Sequence, residues 1–303
     1  MNHAAQTITL RHECVLGVFE AAVETIGAKQ RGFSLNGRQA MQQYHTTNAG
    51  APLATGWIMA PWANRITHGR WALGAQPQQL LITDTAHDAA LHGLVMHTNF
   101  EVLFRLPNTV TLGAKILPTA GYPFEIDLEV SYRLDDNGLA VTHTATNRSR
   151  NSAPFATGAH PYFSIEGEPT EALVFQVPAS RRVVTGKLLE PIGEAMHSPA
   201  QWLNAAIPTD TPFSSLQREA SGLAITRLRA SSGAEIQIWQ EPAFSSVHIY
   251  STDSYPGLNG PTNAIAIEPV TCGPDVFNNS AEVIWLSTDT PWSASWGARL
   301  LNW

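Results

Sequence analysis

Two residues with complementary proton chemistry, His160 and Glu268, are each followed at once by a proline. In Gly158-Ala159-His160-Pro161-Tyr162-Phe163, Pro161 removes a backbone donor and pushes His160 towards extended geometry, which can hold its imidazole at a strand edge. Histidine is the side chain best matched to moving a proton near neutral pH, although a lone histidine is more often a structural hydrogen-bonder. In Ile265-Ala266-Ile267-Glu268-Pro269-Val270-Thr271-Cys272-Gly273-Pro274-Asp275, a carboxylate ends an apolar strand. Such a glutamate must be paired, hydrogen-bonded or poised with a shifted pKa, and a buried structural ion pair explains it as well as a catalytic role does.

Three further segments set polar groups among apolar ones. Pro61-Trp62-Ala63-Asn64-Arg65-Ile66 offers the Asn64 amide and the Arg65 guanidinium beside an indole, donors suited to a hydroxyl-rich ligand. The plainer alternative is an arginine paired with an acid at a turn. Leu91-His92-Gly93 carries a second histidine in a non-helical stretch, and Asp210-Thr211-Pro212-Phe213 reads, alone, as an ordinary Asx-type turn. His92 and His97 lack metal-ligand spacing, Cys-x-x-Cys and His-Glu-x-x-His are missing, and no metal site is expected. Gly-x-Gly-x-x-Gly, a phosphate-cradling Walker loop and Gly-x-Ser-x-Gly are missing too, so nucleotide and serine-hydrolase chemistry lose their usual anchors.

The elements that must position these groups are short strands. Phe124, Ile126, Leu128, Val130, Tyr132 and Leu134 alternate with polar residues, the pattern of a half-buried strand. Asp135-Asp136-Asn137-Gly138 then predicts a tight turn, with a return strand through Leu139, Val141 and Ala145. Further strands are expected at 101–105, 109–116, 172–177, 223–229, 234–240, 245–251 and 264–268. Helical periodicity is scarce; Pro199–Ala206 is expected to form a turn or two of helix. With 22 Gly and 20 Pro in 303 residues, the pattern predicts an all-β fold, a sandwich or barrel, in one domain over 1–303.

Composition acts mainly by exclusion. The chain is 44% hydrophobic and 14% charged, which suits a buried core rather than disorder. Net charge is −7, and the only lysines are Lys29, Lys115 and Lys187, with no basic run beyond Arg181-Arg182, so no nucleic-acid partner is expected. Pro61 interrupts the longest apolar candidate, Trp57–Ala63, and the N-terminus lacks a secretory h-region, so neither a membrane nor export is expected. Cys14 and Cys272 cannot build a disulfide framework and read as reduced thiols of a cytoplasmic protein.

Taken in order, Pro61–Ile66, Leu91-His92-Gly93, Gly121-Tyr122-Pro123-Phe124, His160–Phe163, Asp210-x-x-Phe213 and Glu268-Pro269 resemble the aldose 1-epimerase (galactose mutarotase) family, over roughly residues 15–300. Val177-Pro178-Ala179-Ser180 and Pro274–Asn278 are similar to it as well. The resemblance implies a large antiparallel β-sandwich and interconversion of the α and β anomers of a free aldohexose, without metal or organic cofactor. It implies Glu268 as general base, His160 as general acid, and Arg65, His92, Asp210, Asn64 and Tyr162 as sugar-binding residues. Trp62, Tyr162 and Phe213 would pack on the sugar or in the core. The expected partner is a small monosaccharide, and the expected assembly a monomer or homodimer. Two segments depart from the family: Asp210 lacks the second acid or histidine that many relatives carry, and Ser287–Trp292 lacks their Pro-Gly turn. Three other functions compete. A hexose-6-phosphate 1-epimerase would need more cationic groups, for which Arg31, Arg38 and Arg70 are available. A silent sugar-binding module would need no donor–acceptor pair, and a glycoside hydrolase would usually need two carboxylates.

Overall fold

The structure, a computed structural model, describes residues 5–45, 51–279 and 283–303. Among them the regular elements are antiparallel strands and three short 3₁₀ turns. The strand Ile126–Asp135 buries Ile126, Leu128, Val130, Tyr132 and Leu134 completely while its alternate residues face outward, as its period-2 pattern requires. It pairs residue for residue with Gly138–Asn147, ending at Asp135 opposite Gly138. Asp135 Oδ1 accepts the Asn137 N–H at 2.9 Å and Gly138 takes φ +106°. A Cβ at Gly138 would lie 2.4 Å from the Ala298 carbonyl oxygen, so glycine is required there.

This hairpin forms the third and fourth strands of a nine-stranded sheet, which runs Glu101–Leu106, Thr109–Ile116, Ile126–Asp135, Gly138–Asn147, Trp292–Leu301, Glu235–Gln240, Ala224–Arg229, Val174–Gln176 and Trp202–Asn204. A second sheet runs Pro191–Met196, Ala179–Thr185, Thr209–Leu216, Ser246–Gly257, Gly260–Val270, Gly158–Ala159 and Ile58–Met59, with Tyr162–Phe163 also paired to Gly260–Val270. Leu128, Leu228, Ile236 and Trp296 of the first sheet share one apolar cluster with Val247, Ile249, Ile265 and Ile267 of the second. That cluster is the core of an antiparallel β-sandwich. A four-stranded sheet, Thr7–Cys14, Gly17–Glu24, Lys29–Leu35 and Arg38–Gln39, adds Ile8, Leu10, Phe19 and Phe33 to it.

The structure corrects two local expectations. Pro199–Ala206 forms no helix: Trp202–Asn204 is extended and pairs with Val174–Gln176, because the open sheet edge supplies hydrogen bonds that a single helical turn cannot match. Asp210 does not sit in an Asx turn but in the strand Thr209–Leu216, opposite Tyr250, and Pro212 is tolerated within that same strand. The missing Pro-Gly turn at 287–292 is replaced by Asp289, which adopts φ +52° and donates its N–H to the Asn147 carbonyl.

Candidate active site

Three neighbouring strands of the second sheet carry three of the site's side chains. His248 on Ser246–Gly257 lies directly opposite Glu268 on Gly260–Val270, and Asp210 projects from Thr209–Leu216 on the other side of His248. His160 follows the short strand Gly158–Ala159, whose Gly158 pairs with Val270. Pro161 breaks that pairing, and the chain re-enters it at Tyr162, opposite Ala266. The interruption turns the imidazole over Glu268, with His160 Nε2 3.3 Å from Glu268 Oε1. The His160 ring also stacks on Tyr162, centroids 5.3 Å apart.

The opposite wall is the small hairpin Arg65–Thr67 and Ala89–Leu91, in which Arg65 pairs with Leu91. Asn64 and His92 precede and follow those strands, both in the left-handed region, at φ +56° and +58°. The His92 N–H donates to the Asn64 carbonyl at 2.9 Å, and the Asn64 N–H donates to His92 Nδ1 at 3.2 Å. With Nδ1 accepting, His92 carries its proton on Nε2. Asn64 Oδ1 accepts the Arg65 N–H at 2.8 Å, which turns the amide nitrogen to His248 Nδ1, 3.2 Å away. The Arg65 Nε donates to Asp84 Oδ2 at 2.8 Å, and His87 Nδ1 meets the same oxygen at 2.8 Å.

These walls enclose a cleft of about 280 Å³, lined by Asn64, Arg65, His92, His160, Tyr162, Asp210, His248 and Glu268 on its polar side. Leu53, Trp57, Met96 and Tyr250 supply the apolar side. A larger groove of about 390 Å³ beside Glu101–Leu106 lacks this convergence, and its Lys115 and Asp127 pair with each other at 3.0 Å.

Burial sets the protonation of the site. It pushes the Glu268 carboxyl up to about 8, against the opposing pull of His248, and pushes His160 down to about 3, with His248 adding to the effect. Near neutrality the pair is therefore in opposite protonation states, with the proton on the carboxyl rather than on the imidazole. Burial, then the charge of His160, holds His92 far below the usual imidazole range. At Asp210 burial raises the pKa, but the hydrogen bond from His248 and the charges of His248 and Arg65 outweigh it and the carboxyl stays ionised. Glu268 Oε2, His160 Nδ1 and the Tyr162 hydroxyl are buried without a protein partner among the described residues.

The seven residues expected to act on or bind the sugar, Asn64, Arg65, His92, His160, Tyr162, Asp210 and Glu268, therefore line one cleft. Trp62 and Phe213 do not: Trp62 donates to the Ala90 carbonyl at 3.1 Å and packs on Phe277, and Phe213 is in the core. Sequence reasoning missed His248, Trp57 and Asp84. His248 stands in an apolar strand run and carries no motif; pairing 245–251 with 264–268 in register would have exposed it.

A sequence profile described as Aldose 1-epimerase matches residues 6–285. The chain is 26% identical over 298 residues to the uncharacterized protein YihR of Escherichia coli strain K12, a match covering 96% of this chain and 92% of that protein. Galactose mutarotase of Mus musculus is 27% identical over 118 residues, 37% of this chain and 33% of that one. Among solved structures, the GalM/aldose epimerase homologue from C. elegans superposes with a TM-score of 0.83 at 16% identity, over 98% of this chain and 99% of that one. Galactose 1-epimerase from Lactobacillus acidophilus NCFM gives 0.79 at 17% identity, over 98% and 99%. The structural matches establish the fold, and a profile running from residue 6 to residue 285 of the same sandwich means that this chain belongs to the aldose 1-epimerase family.

Proposed function

We propose that the protein is an aldose 1-epimerase that interconverts the α and β anomers of a free aldohexose. The observation that carries this reading is the His160–Glu268 pair, 3.3 Å apart and holding one proton between them at neutral pH, inside a cleft lined by hydrogen-bonding side chains. Opening a hemiacetal ring needs one group to remove the C1 hydroxyl proton and a second to protonate the ring oxygen, and each such group typically contributes about 10²–10⁴-fold.

Glu268, as carboxylate, takes the proton from O1 while His160, as imidazolium, delivers its proton to O5. The O1–H electron pair becomes the C1=O1 π bond of the aldehyde as the C1–O5 bond breaks and its pair leaves on O5, which takes the His160 proton. The pair is left as carboxylic acid and neutral imidazole, the arrangement that burial favours in the free protein. Rotation about C1–C2 presents the other carbonyl face, and the same two proton transfers in reverse close the ring. The competent state differs from the resting one only by moving the proton between the two partners. His92 offers Nε2–H, and Arg65, Asn64, Asp210 and Tyr162 complete the polar contacts to the sugar. Tyr250 and Trp57 supply apolar surface for a ring face. At about 280 Å³ the cleft falls below the range of about 300–1,000 Å³ common for drug-sized ligands, which supports a single monosaccharide.

A phosphorylated hexose is less well supported. Arg65 is the lone guanidinium in the lining among the described residues and is bound by Asp84; Arg31 donates to the Tyr44 carbonyl, and Arg38 to that of Glu166. The deciding experiment is polarimetry of freshly dissolved α-D-glucose and α-D-galactose with wild type and Glu268→Gln in parallel. Acceleration by wild type alone is expected. Acceleration of glucose 6-phosphate but of neither free sugar would move the assignment to a hexose-6-phosphate 1-epimerase, and binding without acceleration would make the protein a sugar-binding module.

A further inference from the structure

His248 is a buried residue of the cleft whose two ring nitrogens reach both of its walls. Its Nε2 lies 2.7 Å from Asp210 Oδ1, on the sheet side, and its Nδ1 lies 3.2 Å from the Asn64 amide nitrogen, on the hairpin side. The orientation of that amide is fixed independently, because Asn64 Oδ1 already accepts the Arg65 N–H. Asn64 therefore donates to His248 Nδ1, and His248 Nε2–H donates to Asp210. Burial works against a charge on this imidazole, but Glu268 and Asp210 outweigh it and raise its pKa. Arg65 opposes that shift. An orphaned partner at either end would be left inside the cleft wall, where an unmade hydrogen bond is costly.

On the reading proposed above, we infer that His248 is a positioning residue of the sugar site, holding Asp210 and Asn64 at fixed separation across the cleft, so that sugar affinity depends on it and proton transfer at His160 and Glu268 does not. It reaches the sugar through Asp210 and Asn64. Removing it frees a carboxylate and an amide that otherwise meet the ligand pre-oriented, and pre-orientation acts on affinity.

The test uses His248→Leu and His248→Gln in the full chain, with KM and kcat from polarimetry and equilibrium affinity for D-galactose and D-glucose from tryptophan fluorescence. His248→Leu is expected to weaken binding and raise KM by about 10-fold or more, the scale of a lost hydrogen bond to a charged group, with kcat within about threefold. His248→Gln keeps a donor in reach of Asp210 and is expected to restore most of the affinity. Asp210→Ala combined with His248→Leu is expected to cost little more than either alone. If His248→Leu does not fold, His248→Asn, too short to reach Asp210, carries the same expectation. A loss of kcat at unchanged KM, unchanged affinity in His248→Leu, or additive effects with Asp210→Ala would overturn the inference. The fluorescence titration needs no turnover. A wild type that binds sugar without accelerating mutarotation would sink the epimerase reading and leave His248 judged by affinity alone, whereas one that binds neither sugar would overturn both.

Discussion

His160 and Glu268 are shifted past one another. Their side chains approach to 3.3 Å, and burial, which penalises both charges, lowers the imidazole to about 3 and raises the carboxyl to about 8. Between those limits the pair carries a single proton, whichever partner holds it at a given moment. Such a pair titrates as a unit, and its two apparent values bound the range over which one acid and one base are present together.

The catalysed rate should therefore be broad and bell-shaped in pH. Above about 8 the last proton leaves, and no group remains to protonate O5; towards about 3 a second proton arrives, and no base remains for the C1 hydroxyl. Initial polarimetric rates from pH 4 to 10, corrected for spontaneous mutarotation, should hold a plateau through neutrality and fall on the alkaline side near 8. A corrected rate that stays level to pH 10 would remove the pair from the chemistry.

Each member of the pair should be indispensable to turnover and dispensable to folding. Glu268→Gln and His160→Asn are each expected to lose about 10²–10⁴-fold in kcat, with circular dichroism and thermal melting close to wild type. Folding is spared because neither charge is needed in the core: both substitutions remove a group that burial already disfavours in its ionised form. Near-normal kcat in either variant would exclude that residue.

The sandwich was legible because its central strands bury one face and wet the other. Ile126–Leu134 states its period directly, and the turn residues after it fix the return. The outer strands Ala179–Thr185 and Pro191–Met196 were not legible, since several of their residues are exposed on both faces and the alternation disappears. The candidate site was legible where proline, glycine or a left-handed residue punctuates the chain, as at Asn64, His92 and His160. Asp210 and His248 lie within regular strands, and the relation between them exists only in the register, with Pro212 opposite His248 and Asp210 opposite Tyr250.

Arg65 is held for its task by Asp84. Both side chains are largely buried, and Asp84 stays ionised: burial raises its pKa, but the hydrogen bonds from Arg65 and His87 overcome that. Asp84→Asn weakens the charge-assisted bond and leaves the guanidinium poorly matched. It should cost about 1.5–3 kcal/mol in stability and raise KM several-fold more than it lowers kcat. Denaturant unfolding and steady-state polarimetry measure the two effects, and an unchanged KM would reduce Asp84 to a structural ion.

His143, outside the cleft, is expected to make stability pH-dependent. Trp296 Nε1–H donates to its Nε2 at 3.2 Å, and Nδ1–H donates to Thr157 Oγ1 at 2.8 Å, so the ring is neutral. Burial pushes its pKa down to about 3. The unfolded chain takes a proton there below about 6.5, where the folded chain does not, so this contribution is complete above 6.5 and is lost as pH falls towards 3, by roughly 1.4 kcal/mol per unit. His143→Gln cannot titrate. Its stability between pH 7 and 4 should fall less steeply than that of wild type in urea unfolding, and parallel curves would contradict the assignment.

Gly93 explains why a histidine–glycine pair can end this hairpin, and it gives a direct test of how the wall of the cleft is held. Its φ is +79°, and a Cβ there would stand 2.1 Å from the Ala60 carbonyl oxygen and 2.4 Å from the carbonyl carbon. That carbonyl cannot simply retreat, because it accepts the Leu94 N–H at 2.7 Å. Gly93→Ala therefore combines a left-handed backbone penalty of about 1–2 kcal/mol with a forced backbone shift one residue from His92. The shift should loosen the reciprocal bonds between His92 and Asn64, so the urea midpoint should drop and KM should rise together. An alanine variant with an unaltered midpoint would mean that the segment moves freely, and that His92 is not fixed by the backbone geometry seen here.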